Sequence, residues 1–146
     1  MENKLVISQL EEFLRKIQTD LYFFDDYKKK SSNELLNYSI SEMEKDFKAQ
    51  LMTLSSQVNK LGGTWSNSIN FYMENPTNFS PEMSNLGLSY NDNILTEAYN
   101  LANEGIMMGN RLIQENPNLD HDSYRMVTLI LKTYQKHMYT LMRYSY

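Results

Sequence analysis

The spacing between helix-length amphipathic segments constrains this chain most. Apolar residues recur at intervals of three and four residues over four segments, the pattern of helices with one apolar face. The segments lie at about 4–29, 33–61, 91–115 and 122–144. Short turns join the outer pairs, whereas a connection at about 62–90 separates the middle two, as in a bundle with one crossover. We therefore predict one all-α domain over residues 1–146, an antiparallel four-helix bundle with one long crossover between helices 2 and 3.

Composition excludes several classes of protein and site. The chain has no cysteine, so disulfides, thiolate nucleophiles and cysteine-based zinc sites are excluded. The net charge is −4, and the basic run Lys28–Lys30 suits the negative end of a helix dipole. Because nucleic-acid binding needs a clustered basic face, we expect no nucleic-acid partner. No apolar run reaches membrane-spanning length and the first residues lack a signal-type apolar core, so we expect a cytoplasmic protein with no membrane partner.

Local signals predict where the helices end and begin. Gly62–Gly63 ends the second helix, because a left-handed C-cap favours a residue without Cβ. The preceding break at Ser31–Asn33 offers three possible N-caps for that helix. Asp120 or Asp122 caps the fourth helix.

A stripe of small residues marks the inner face of the third helix. Its members are Ala98, Ala102, Gly105 and Gly109. Each of the two glycines costs about 1 kcal/mol relative to alanine inside a helix, so close packing is the best explanation for them. A neighbouring helix, the crossover or a second subunit could occupy this groove.

The long connection is rich in aromatic residues. They are Trp65, Phe71, Tyr72, Phe79 and Tyr90. A connection of this length is uncommon unless it is functional or structured. We expect a strap that lays its rings along the bundle, and the alternative is a segment that docks a partner or acts as a lid.

A dimetal centre in a four-helix bundle needs one Glu from each of two helices and a Glu-x-x-His pair from each of the others. The second helix supplies Glu44, but Phe47 stands three residues later, where histidine is needed. The fourth helix supplies His137, but Tyr134 stands where the carboxylate is needed. Both paired motifs are therefore incomplete. The residues that could still converge are Asp20, Glu44, Glu104 (or Glu97) and His137.

His137 lies on the apolar stripe of the fourth helix and has three interpretations. The first is a buried polar residue satisfied by one hydrogen bond. The others are a metal ligand and an acid–base group. We interpret His121 as a solvated residue near the helix cap. On the first helix, the residues expected to lie largely on the outer, polar face are Glu11, Glu12, Arg15, Lys16 and Gln18.

The residues from Phe47 to the Leu-Gly-Gly helix stop at 61–63 resemble those of small bacterial ferritin-like proteins. The spacing of Glu97 and Glu104 on the third helix is also similar to theirs. The resemblance implies a four-helix fold, an iron or manganese cofactor in active members, and a role in iron handling or oxidative stress.

These observations lead us to expect a non-enzymatic interaction or structural protein that self-associates as a homo-oligomer or binds a protein partner. No cofactor is expected. The alternative is a degenerate ferritin-like metal-binding or oxidative-stress protein that uses Asp20, Glu44, Glu104 and His137. A third option is a bundle that binds an apolar ligand in a cavity lined by methionine and tyrosine.

Overall fold

A computed structural model describes residues 2–65 and 90–143 of the chain. Its four helices are α1 (Glu2–Lys30), α2 (Glu34–Lys60), α3 (Tyr90–Glu115) and α4 (His121–Met142). Neither described range contains a strand, and the helix bounds agree with the sequence prediction to within about two residues. The all-helical, four-helix part of the prediction is confirmed. Most of the predicted crossover lies outside the described residues, as does the role expected for its rings.

The ends of α2 and α4 are set by the side chains and backbone expected there. Of the three candidate caps, Asn33 serves α2, because its Oδ1 accepts a hydrogen bond from the Leu36 backbone N–H at 3.0 Å. Asp120 caps α4 and accepts from the Ser123 N–H at 3.0 Å. Gly62 has a φ of 112°, a left-handed conformation that favours glycine and ends α2 as predicted.

The helices pack as a ring in which α1 and α4 each contact both α2 and α3. Side-chain bonds show that α1 and α3 are antiparallel, since Gln9 Nε2 donates to Glu115 Oε2 at 2.7 Å. The short turn between α1 and α2 makes that pair antiparallel too. It follows that α2 and α3 run in the same direction. The end of α2 and the beginning of α3 therefore lie at opposite ends of the helical ring.

All four helices contribute to one hydrophobic core. A cluster of rings lies within it, where the Phe47 ring is 6.1 Å from Phe24, 4.4 Å from Tyr134 and 5.8 Å from His137 between centroids. Ring pairs at these distances add to the stabilisation from burial. The sequence expectation that Phe47 and Tyr134 belong to the interior is therefore confirmed, because both side chains are fully buried.

The small residues of α3 are explained by the rings and alkyl groups that pack over them. A Cβ added to Gly105 would come within 3.0 Å of the Tyr134 ring. One added to Gly109 would meet Leu131 of α4 and lie 3.2 Å from Phe13 of α1. Of the three candidate occupants, neighbouring helices fill this part of the groove.

Some large apolar side chains lie on the outside. The most exposed are Leu5 on α1, Leu35, Tyr38 and Met52 on α2, and Tyr139 on α4. Within the two described ranges, no helix combines the length and hydropathy that crossing a bilayer requires.

Replacing Gly105 by alanine is expected to lower the free energy of unfolding by about 1–3 kcal/mol, because the added methyl group overpacks against Tyr134. This cost opposes a gain of about 1 kcal/mol in helix propensity. Urea unfolding followed by circular dichroism measures the change. The control is Asn110→Ala, at an exposed position of the same helix. If both variants unfolded at the same urea concentration, the tight packing of Tyr134 on Gly105 would be wrong.

Candidate functional site

A buried ion pair on α1 faces α3. The Lys16 ammonium donates to Asp20 Oδ1 at 2.7 Å and to the Leu101 carbonyl at 3.1 Å, and lies 3.5 Å from Glu104 Oε2. The spacing of four residues places Lys16 and Asp20 on the same side of α1. Asp20 is 1% exposed, and the Lys16 side chain is 10% exposed. Three oxygens thus surround an ammonium group that has three hydrogens to donate.

Tyr134 completes the hydrogen bonding of this carboxylate. Its hydroxyl donates to Asp20 Oδ2 at 2.7 Å, so each oxygen of Asp20 has a partner. The ring reaches this position because it packs directly over Gly105. The group of Lys16, Asp20 and Tyr134, here called the lysine–aspartate network, therefore connects α1 with α3 and α4.

The protonation of Asp20 reflects a competition between burial and its partners. Burial raises the pKa of Asp20 from 3.8 to about 6, while the Lys16 ammonium and the Tyr134 hydroxyl act in the opposite direction. The negative charge of Glu104 adds to the increase. Asp20 consequently titrates closer to neutral pH than an ordinary carboxyl group.

A cleft between α1 and α3 lies beside the lysine–aspartate network. Its volume is about 520 Å³, within the range of small-molecule sites. Lys16, Asp20, Phe23 and Tyr27 line it from α1, and Glu97 is among the residues that line it from α3. Burial, followed by the nearby charge of Glu97, raises the pKa of Tyr27 well above its usual range. The phenol therefore stays protonated at neutral pH.

A second polar pair joins α2 to α4. His137 Nε2 lies 2.9 Å from Asp46 Oδ2, and the Lys136 ammonium lies 3.4 Å from the same oxygen. Burial lowers the pKa of His137, and the bond to Asp46 opposes this effect. The interpretation of His137 as a buried polar residue held by a hydrogen bond is confirmed. His121 is exposed at the beginning of α4, as expected for a residue beside a cap.

The four predicted metal ligands do not form one set in this structure. Asp20 and Glu104 both lie on Lys16, whereas Glu44 is paired with Lys28 at 2.5 Å between α1 and α2. His137 lies on Asp46. In residues 2–65 and 90–143, no three His, Asp or Glu side chains are grouped as a metal ion would require. Iron or manganese binding stays a prediction.

Sequence reasoning missed the groups that bind the predicted residues. Lys16 and Gln18 were assigned to the outer face, but Gln18 is buried and Lys16 nearly so, so that prediction is wrong. The spacing of Lys16 and Asp20, four apart with opposite charge, was the available signal. No local pattern indicates that Asp46 meets His137, because the two lie 91 positions apart on different helices.

Comparison of the chain with family models, with curated proteins and with solved structures finds no match. The resemblance to ferritin-like proteins accordingly stays an expectation drawn from residues 47–63 and from the glutamates of α3.

The stability of the protein should depend on pH through Asp20. The folded-state pKa of Asp20, about 6, lies above its ordinary value of 3.8, so the folded protein binds this proton more tightly than the unfolded chain does. The resulting stabilisation is complete below pH 3.8 and is lost as the pH rises through about 6. From about pH 4 to about pH 7, the wild type should lose about 2–3 kcal/mol of unfolding free energy relative to Asp20→Asn.

Urea titrations at several pH values measure this difference. The control is Asp25→Asn, which removes an exposed carboxylate from the same helix. It measures the general effect of losing one negative charge. The difference in unfolding free energy between wild type and Asp20→Asn should change with pH more than the difference for Asp25→Asn does. If the two differences changed with pH in the same way, the raised pKa of Asp20 would be contradicted.

Proposed function

We propose that this chain is a non-enzymatic helical-bundle protein that acts through interaction or as a structural unit. The observation that supports this proposal is that two buried ionisable groups considered for metal binding, Asp20 and His137, are already bonded to other side chains. Asp20 is held by Lys16 and Tyr134, and His137 is held by Asp46. A general base must reach a substrate, and a catalytic metal needs an open coordination position. His137 lines neither the cleft between α1 and α3 nor the cavity beside Tyr99 and Leu141.

Self-association as a homo-oligomer belongs to the same proposal. Leu35, Tyr38 and Tyr139 are 71%, 66% and 66% exposed. Tyrosine is enriched at protein interfaces because it combines an apolar ring with a polar tip. Covering these side chains with a second copy would remove apolar surface from water without opening the core.

A ferritin-like topology with one crossover is the architecture that we propose. Two observations support it: α2 and α3 run in the same direction, and the end of α2 and the beginning of α3 lie at opposite ends of the ring. In a bundle with short turns only, neighbouring segments in the chain would alternate in direction.

The second candidate is a degenerate ferritin-like metal protein, and one observation favours it. Carboxylates of α1 and α3, Asp20 and Glu104, approach the same cationic group, the Lys16 ammonium. Two carboxylates from neighbouring helices around one positive charge resemble half of a metal site, with the ammonium in place of the ion.

Metal analysis separates the two candidates. Protein purified without chelator and titrated with Fe²⁺ or Mn²⁺ is expected to retain no stoichiometric ion, because each predicted ligand is already paired with another side chain, namely Lys16, Lys28 or Asp46. Mass spectrometry of the bound elements is the measurement. An ion retained at one per chain and lost in both Asp20→Asn and His137→Ala would overturn the first candidate.

Light scattering over a range of protein concentrations tests self-association. We expect the mass to exceed that of one 17.3 kDa chain and to fall towards it in the Tyr38→Lys and Tyr139→Lys variants. Lys132→Gln changes an exposed residue of α4 and is the control. A wild-type mass that equals one chain at every concentration would remove self-association from the proposal.

A further inference from the structure

The cleft between α1 and α3 has features that the lysine–aspartate network does not need. Besides that network, its wall includes the rings of Phe23 and Tyr27, which are stacked with centroids 6.1 Å apart and planes inclined by 26°. Leu101 and Met108 add apolar surface from α3. An open cleft of about 520 Å³ with an aromatic wall has room for a small organic molecule.

Tyr27 lines this cleft and has a hydroxyl group without a hydrogen-bond partner among the described residues. The residue is 1% exposed, and its hydroxyl makes no hydrogen bond with any residue of the described ranges. A tyrosine hydroxyl can both donate and accept a hydrogen bond. A bound molecule with a polar group near Tyr27 would supply that partner.

The charges around the cleft favour a cation. Lys16 is neutralised by Asp20 and Glu104, and the Arg15 guanidinium lies over the Trp65 ring at 5.7 Å. The carboxylates of Glu12 and Glu97 also line the cleft. Neither forms an ion pair with a described residue. Four carboxylates thus face two basic groups, so the cleft carries an excess of negative charge.

We propose that the α1–α3 cleft binds a small organic ammonium ion with an apolar chain. The ammonium group would donate hydrogen bonds to the Tyr27 hydroxyl oxygen and to the Glu97 carboxylate. The chain would lie against Phe23 and Met108, where the ring face also attracts positive charge. This site lies within one copy of the chain and goes beyond the proposed interaction role.

An anionic ligand is the competing possibility, because Arg15 and Lys16 also line the cleft. The contacts of these two residues argue against it. The Lys16 ammonium is surrounded by the oxygens of Asp20, Leu101 and Glu104, so an anion would have to displace one of them. The negative carboxylate of Glu97 would also repel an anion, whereas it would attract an ammonium ion.

Three probes with the same six-carbon chain test the proposal directly. Isothermal titration calorimetry of the full chain with hexylammonium, 1-hexanol and hexanoate compares a cation, a neutral molecule and an anion. We expect hexylammonium to bind at least about tenfold more tightly than the other two, because hydrogen bonds to a charged group are stronger than those between neutral groups. Equal or tighter binding of hexanoate, or no binding of hexylammonium, would overturn the proposal.

Two variants locate the binding site. Tyr27→Phe removes only the hydroxyl, which has no hydrogen bond in the described structure, so the fold should be retained while hexylammonium binds about threefold to tenfold more weakly. Glu97→Gln should weaken binding by about tenfold, and Glu42→Gln on α2 is the charge-matched control. Circular dichroism confirms folding of each variant. Unchanged affinity in both cleft variants would place the ligand elsewhere and refute this site.

The test of amine binding and the test of self-association can fail independently of each other. Light scattering on the same samples reports the oligomeric state, and calorimetry reports the amine. A chain that self-associates but does not bind hexylammonium would refute only the cleft site. A monomer that binds hexylammonium through Tyr27 and Glu97 would refute only self-association.

Discussion

The Lys16 ammonium connects three helices through oxygen atoms. It bonds to Asp20 on its own helix and to the Leu101 carbonyl on α3, and Asp20 in turn accepts from Tyr134 on α4. A carboxylate this deeply buried is stable only if it is paired or protonated, since removing an ion from water costs several kcal/mol. The pairing and the raised pKa of Asp20 are both consequences of that constraint. The apolar core can therefore close around Asp20 only while Lys16 and Tyr134 hold their positions.

Polar pairs of this kind recur where helices meet. Glu44 and Lys28 join α2 to α1, and His137 and Asp46 join α4 to α2. At the far end of the same interface, Gln57 Nε2 donates to Asp120 Oδ2 at 3.1 Å. Apolar side chains alone tolerate sliding of one helix along another, whereas a buried charge or amide has one position in which it is satisfied. We infer that these pairs set the register of the helices, and that the ring cluster around Phe47 supplies the cohesion.

The four helices could be predicted well from the sequence, but their contacts with one another could not. Periodicity is a local property, so the bounds of four helices and the burial of Phe47, Tyr134 and His137 could all be predicted from neighbours along the chain. The rotation and register between helices depend on residues far apart in sequence. Asp46 was for that reason missed as the partner of His137, as was Lys28 as the partner of Glu44. Lys16 was misplaced because one of the oxygens that its ammonium meets, the Leu101 carbonyl, belongs to another helix.

The close approach of Tyr134 to Gly105 has an evolutionary consequence. The aromatic ring occupies the volume that any larger residue at position 105 would need, and its hydroxyl is the hydrogen-bond donor that Asp20 uses on α4. A lineage that enlarged the residue at 105 would have to shrink the ring at 134 and would then lose that donor as well. We therefore expect the residue types at positions 20, 105 and 134 to change together among descendants of this chain, with glycine, tyrosine and aspartate inherited as a unit.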